Sequence, residues 1–352
     1  MKLHVFNPEH DLALASGIAN FTSPYAGRAL RADLGYLPAL WADDGDAVLV
    51  ENEAETLRCY RRFVGYAKIA RREVMFVTKK DLSSLPLTSV EPWGWDLALR
   101  SQLLRYGVRE ALLPTSDEIA DIRQLSHRRY AAEVLDEIDV LGTVGEACYC
   151  TSADEIEEKL HLPGNTVLKA PWSSSGRGIR FVQGEPTASL RGWMQNVIRI
   201  QGGIMVEPCY EKVKDFALEF YSDGKGTASY LGLSLFHTVN GAYAGNILAT
   251  EDVKQEMLSR YVSMETFMQV QERIKVLTSA LYKGRYRGPF GIDMMVVKGD
   301  GGSYLLHPCV EINLRRTMGM VAHYLTSPDP AVRRLMRISL EGRYKMRTRK
   351  LC

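Results

Sequence analysis

The strand pattern changes about a third of the way along the chain, and this change limits the possible folds more than any other feature. In the first third, short β-type runs at residues 3–6, 47–50 and 74–77 alternate with apolar residues at helical spacing over 96–106 and 118–138. Such alternation predicts an α/β layer built on a parallel sheet. From residue 166 onward short strands follow one another at 166–170, 179–182, 204–207, 216–221, 230–237 and 242–249, with one helix at 188–199. Glycine-containing turns between such strands predict antiparallel sheets. A long helical pattern at 264–283 precedes two more strands, 290–297 and 304–312, joined by the hairpin-type turn Lys298-Gly299-Asp300-Gly301-Gly302. The last two-thirds therefore read as α+β.

Composition sets outer limits. With 352 residues, 46% hydrophobic and 24% charged, the chain falls in the ordinary globular range and is long enough for more than one lobe. No apolar run approaches the ~18 residues needed to span a bilayer. The amino terminus has no signal-peptide h-region, so no membrane association and a cytoplasmic location are expected. The six cysteines, Cys59, Cys148, Cys150, Cys209, Cys309 and Cys352, show no zinc spacing and no disulfide framework. The net charge of +2 hides an uneven distribution: residues 331–352 carry +7 and the preceding 330 carry −5. That basic end is read as a solvated helix and tail rather than a nucleic-acid surface.

Three stretches carry chemistry. Lys169-Ala170-Pro171-Trp172-Ser173-Ser174-Ser175-Gly176-Arg177-Gly178 places a lysine at a strand end before a loop of small residues. Small side chains let backbone N–H groups approach phosphate oxygens, and the lysine adds a point charge. A plain surface hairpin is the structural alternative. In Val310-Glu311-Ile312-Asn313-Leu314-Arg315, period-two alternation puts Glu311 and Asn313 on one face, while Asp293 lies in the neighbouring apolar strand. Two carboxylates and an amide oxygen suit Mg²⁺; salt bridges to arginines such as Arg315 are the alternative. The third stretch, Ile204-Met205-Val206-Glu207-Pro208-Cys209 with Asp215 following, reads as a strand and hinge able to meet a base and a ribose, or simply as a strand leaving the core.

In this order the three stretches resemble the ATP-grasp superfamily, over roughly residues 116–325. The resemblance implies a Rossmann-like preceding domain (1–115), an ATP-grasp N-terminal subdomain with a phosphate loop (116–205), a C-terminal subdomain with a metal site (206–327), and a basic helix or tail (328–352). It implies ATP and Mg²⁺ (or Mn²⁺) as cofactors. Lys169 would contact the α- and β-phosphates, and Ser173, Ser174, Ser175, Gly176 and Gly178 would cover the β- and γ-phosphates. Glu207 and Cys209 would sit at the adenine hinge and Asp215 near the ribose. Asp293, Glu311 and Asn313 would hold metal, and Arg315 would hold the acid substrate or steady the transferring phosphoryl group. Where relatives carry a second ATP-binding lysine, Leu125-Ser126-His127-Arg128-Arg129 offers Arg128, and the phosphate loop is richer in serine than usual.

The implied activity is an ATP-dependent carbon–nitrogen ligase that activates a carboxylate as an acyl phosphate for attack by an amine, on small-molecule or peptide substrates. A kinase acting on a hydroxyl and a non-catalytic nucleotide-binding protein are the alternatives, and a homo-oligomer is compatible with the sequence. His10 and Asp11, in the polar loop after the first strand, are candidate substrate contacts; the same residues also fit an acid-rich helix start.

Overall fold

The computed structural model describes residues 1–160, 164–173, 178–239 and 242–351. In chain order its principal elements begin with β1 (Lys2–Val5), α1 (His10–Ser16), α2 (Tyr25–Leu34), β2 (Ala47–Leu49), α3 (Glu53–Ala67), β3 (Met75–Val77), β4 (Ser89–Pro92), α4 (Leu97–Arg105) and α5 (Ser116–Leu125). They continue with α6 (Arg129–Asp136), β5 (Cys148–Cys150), α7 (Ala153–Leu160), β6 (Thr166–Lys169), β7 (Ile179–Val182), α8 (Ala188–Gln201), β8 (Ile204–Pro208), β9 (Lys212–Ser222) and β10 (Ala228–Val239). The last are β11 (Ala242–Leu248), α9 (Glu251–Leu258), α10 (Met264–Tyr282), β12 (Gly288–Lys298), β13 (Tyr304–Asn313), α11 (Met318–Leu325), β14 (Arg334–Glu341) and β15 (Arg343–Lys350). Two compact units result. The first comprises Met1–Arg123, Ala244–Val253 and Arg315–Cys352, and the second comprises Gln124–Tyr243 and Lys254–Leu314.

In the first unit the expected parallel sheet has the order β3-β2-β1-β4. β4 lies on the far side of β1 from β2 and β3, so the winding reverses between β1 and β4. At such a switch point the carboxyl edge of the sheet opens into a crevice. α3 is amphipathic and starts where the Asn52 side chain accepts from the Glu55 N–H at 2.9 Å. It buries Tyr60, Phe63 and Ala67 against Phe6, Tyr36 and Leu37, in a core that also takes Val321, Met336 and Met346.

The carboxyl-terminal segment is not the helix and tail expected from the sequence. β14 and β15 form an antiparallel hairpin about Gly342 (φ 72°), with Arg337 opposite Arg347. The physical reason is legible in Arg343-Tyr344-Lys345-Met346-Arg347-Thr348-Arg349, where bases alternate strictly with other residues, a period of two rather than 3.6. Met346 and Thr348 are buried while Arg347 and Arg349 are exposed. The positive charge is partly met within the unit, since Arg343 reaches Asp33 at 3.1 Å and Glu55 at 2.8 Å, and Arg347 reaches Glu341 at 2.6 Å. β11 pairs with β14, Asn246 opposite Met336, so distant segments of the chain join this unit. Neither unit is a continuous segment of the chain.

The second unit carries antiparallel strands, as expected. One sheet has the order β5-β8-β6-β7, backed by α7 and α8 through Ile156, Met194 and Val197. The other includes the ladder β13-β12-β9-β10, in which Phe220 and Phe290 stack at 5.2 Å and Tyr282 of α10 packs edge-on to Phe290 at 4.9 Å. The strands of these two sheets carry Lys169, Glu207, Asp215, Asp293, Glu311 and Asn313 of the residues anticipated from the sequence.

The hairpin makes a checkable difference. Met336 is fully buried and Leu340 is 65% exposed. Met336→Ala is expected to lower the unfolding free energy in urea by about 2–5 kcal/mol, and Leu340→Ala by less than about 0.5 kcal/mol. Two neutral substitutions would mean that the carboxyl-terminal segment is a frayed tail.

Candidate functional site

β6 is buried along its length, and its last residue, Lys169, is only 6% exposed. An ammonium there needs a partner. In the β6–β8 register Lys169 lies opposite Met205 and Val167 opposite Glu207, which puts Lys169 and Glu207 on one face, two residues apart along the ladder. Lys169 Nζ meets Glu207 Oε2 at 2.5 Å, with both side chains buried. Glu207 thus holds a lysine, while at the end of β8 the Cys209 N–H donates to the Asn165 carbonyl at 2.8 Å.

Arg128 is a second buried cation. One guanidinium nitrogen donates to the Ala170 carbonyl at 2.6 Å and to Ser173 Oγ at 2.7 Å, and the other meets Glu311 Oε1 at 2.7 Å. It therefore joins the exit of β6, the start of the serine-rich loop and a carboxylate on β13. Gly178 closes the far side of that loop, its backbone carbonyl accepting from the Ala170 N–H at 2.8 Å. A Cβ at Gly178 would stand 2.3 Å from Ser173 Cβ, so only glycine fits. Ser174, Ser175 and Gly176 lie outside the described residues.

The ladder brings the anticipated oxygen donors together. Asp293 stands directly opposite Glu311 and Gly291 opposite Asn313, so Asp293, Glu311 and Asn313 share a face and all three are half-buried. β9 continues the row, Ala217 beside Asp293 and Glu219 beside Gly291. Glu219, 3% exposed, is an acid that the sequence reading passed over. The period of two linking Asp215, Ala217 and Glu219 could have revealed it. Asp215 itself accepts from Lys212 Nζ and from Thr238 Oγ1, each at 2.7 Å. Among the described residues no three His, Cys, Asp or Glu side chains cluster tightly enough to hold a metal unaided. Two carboxylates with one amide oxygen nonetheless match the hard, sparse protein ligation typical of Mg²⁺, which takes its other oxygens from water and phosphate. Glu311 commits only Oε1 to Arg128.

Two further side chains of β13 belong to this region and were missed from sequence. Burial, aided by the Lys169 charge, lowers His307 to about 4, so its ring is neutral at pH 7. The ring packs edge-on to Tyr210 at 5.7 Å, and neither nitrogen has a hydrogen-bond partner among the described residues. Burial and the Asp293 and Glu207 carboxylates push the Cys309 thiol far up, leaving it an inert core group.

The remaining candidates lie in the first unit. His10 begins α1, 1% exposed, with Nδ1 3.3 Å from Asp96 Oδ2. Its ring leaves no room for a side chain at Gly94, where a Cβ would lie 2.7 Å from three ring atoms. Asp96 also caps α4, accepting from the Leu99 N–H at 2.8 Å. Asp11 forms a two-pronged pair with Arg315, Nε to Oδ1 at 2.7 Å and Nη2 to Oδ2 at 2.8 Å. Both prongs of Arg315 are therefore engaged by a carboxylate, a geometry favoured by the planar guanidinium. Arg316 stacks on Trp41 at 4.8 Å.

No family profile matches the chain, and no curated protein does. Solved structures match it by fold. N5-carboxyaminoimidazole synthetase from Staphylococcus aureus, complexed with ADP, superposes with a TM-score of 0.51 at 13% identity, covering 96% of this chain and 82% of that one. Biotin carboxylase from Campylobacter jejuni gives 0.49 at 12% identity (96% and 75% covered). An ATP-grasp superfamily protein from Archaeoglobus fulgidus gives 0.48 at 15% identity, with both chains fully covered. The chain has the ATP-grasp fold.

The His307 environment has a pH consequence. Its value is about 4 in the fold against 6.5 ordinarily, so between these limits the unfolded chain takes up a proton that the fold refuses. Stability is then greatest above pH 6.5 and falls as pH drops towards 4, by about 3 kcal/mol from this group. His307→Leu is expected to reduce the loss of urea stability between pH 7 and pH 4.5 by about 2–3 kcal/mol. An unchanged pH dependence would contradict the buried, neutral ring.

Proposed function

We propose that the protein is an ATP- and Mg²⁺-dependent ligase that activates a carboxylate as an acyl phosphate and passes it to an amine. The observation that carries this reading is the register placing Asp293, Glu311 and Asn313 on one face of the β12–β13 ladder. Together with the buried Lys169 at the end of β6, it gives the ATP-grasp fold both kinds of group that a triphosphate needs. Phosphoryl transfer requires in-line positioning and charge neutralisation more than covalent help from the protein. Mg²⁺, held by the two carboxylates and the amide, would neutralise phosphate charge.

The chain's own residues do the rest. Glu207 fixes the Lys169 ammonium on the sheet face, so a triphosphate meets a cation already positioned. Arg128 orients Glu311 through Oε1, leaving Oε2 to the metal, and it anchors Ser173 where the phosphate loop begins. In this reading Ser173, Ser174, Ser175, Gly176 and Gly178 cover the phosphates and exclude water, which an acyl phosphate requires. Cys209 and Asp215 lie towards the base and ribose. Arg315, oriented by Asp11, addresses the acid substrate or the transferring phosphoryl group.

The test is Mg²⁺-dependent ADP formation from ATP with pooled carboxylates, in the presence of hydroxylamine. Hydroxamate is the expected product, and Glu311→Gln is expected to lower kcat by about 10²–10³-fold. ADP formed with a phosphorylated hydroxyl and no hydroxamate would replace the ligase reading with a kinase one. Full turnover by Glu311→Gln would remove its metal site.

A further inference from the structure

The first unit holds a cavity of about 230 Å³ at the carboxyl edge of its parallel sheet. Residues at the ends of β1 and β2 and just beyond β3 line it, and it opens where an open sheet of this winding takes its ligands. None of the groups given to nucleotide or metal above lines it. The turn after β1, Asn7-Pro8-Glu9-His10-Asp11, has no glycine fingerprint for a dinucleotide. The volume also lies below the ~300–1,000 Å³ typical of sites for drug-sized ligands. A smaller molecule fits.

The charges on its walls make two opposite demands. Glu9 lines the cavity and is 7% exposed. Its Oε1 accepts from Arg31 and, at 3.1 Å, from Ser23 Oγ. Its Oε2 is buried with no hydrogen-bond partner among the described residues. A buried carboxylate oxygen without a donor is costly, and a ligand donor would remove that cost. Arg31 is no spare cation, because its Nε also meets Glu51 Oε1 at 3.2 Å. The cluster of Glu9, Arg31 and Glu51 therefore carries a net negative charge and asks for a cation. Lys79 and Lys80 ask for the reverse. Both line the cavity, both are exposed, and neither forms an ion pair among the described residues. Lys79 Nζ stands 5.9 Å from the ring centroid of Tyr106, another wall residue.

We propose that this cavity binds an α-amino acid, its ammonium on Glu9 Oε2 and its carboxylate at Lys79 and Lys80. A simple amine would leave the lysines unmatched, and a simple acid would bring no donor to Glu9. Phe21, Leu99 and Leu103 offer apolar wall to an aliphatic or aromatic side chain. Taking the bound amino acid as the amine partner of the reaction rests on the ligase reading; the binding itself does not.

The test is calorimetric titration of the full-length protein, without nucleotide, with the proteinogenic amino acids and with the deaminated and decarboxylated analogues of whichever binds. One amino acid or a chemically related group is expected to saturate a single site, each single-charge analogue binding at least about tenfold more weakly. Glu9→Gln and the double substitution Lys79→Gln/Lys80→Gln are each expected to weaken it by at least about tenfold while leaving Mg·ADP binding unchanged. The lysines are exposed, so their variant reports on the site even if the Glu9 variant unfolds. Absence of saturable binding, equal binding of the deaminated acid, or indifference to the lysine variant would each overturn the proposal. Amino-acid binding without amino-acid-dependent ADP formation would uphold the cavity and overturn the assignment of the bound amino acid as the amine partner.

Discussion

Much of the second unit depends on the burial of one guanidinium. Arg128 is 6% exposed, and a cation so buried is tolerated only when its charge is met. It donates to the Ala170 carbonyl just past β6, to Ser173 in the loop that follows, and to Glu311 on β13. One planar group thereby fixes three segments at once, which a lysine, with its compact and flexible ammonium, would do less well. The side chain holds together the end of β6, the residue that opens the serine-rich loop and a carboxylate of β13.

The same economy of charge recurs at Lys169. Its pairing with Glu207 leaves two buried ions that are close to neutral together, so the sheet tolerates them without ligand. The acids Asp293, Glu311 and Glu219 share one face of the neighbouring ladder. Carboxylates gathered on one face repel one another, and a divalent cation among them would offset that repulsion. The formal net charge of +2 says nothing about this, because the surplus bases lie in the carboxyl-terminal hairpin of the other unit.

Local periodicity made much of this legible in the sequence. The alternation in the first third yielded a parallel sheet, and the strand run after residue 166 yielded antiparallel ones. The Glu311–Asn313 spacing put both donors on one face, as the register has it. What stayed hidden depends on contacts between residues far apart in sequence. Arg128 and Glu311 are 183 positions apart, and Asp11 and Arg315 are 304 apart, so no window of sequence could pair them. β4 was missed because Ser-Val-Glu-Pro is short and ends in proline. The carboxyl-terminal hairpin differs from the expected helix because Leu335, Met336, Ile338 and Leu340 suit a helix face as well as a strand, while β15 alternates strictly. Helix and strand compete closely in such short amphipathic runs.

Hydrogen–deuterium exchange of the intact protein, with and without a non-hydrolysable ATP analogue and Mg²⁺, tests the central claim most directly. Slower exchange is expected in peptides covering β6, β8 and the paired segments of β12 and β13, with no effect in Lys169→Met. Protection confined to other segments, or none at saturating nucleotide, would contradict the assignment of Lys169, Asp293, Glu311 and Asn313 to a nucleotide and metal site.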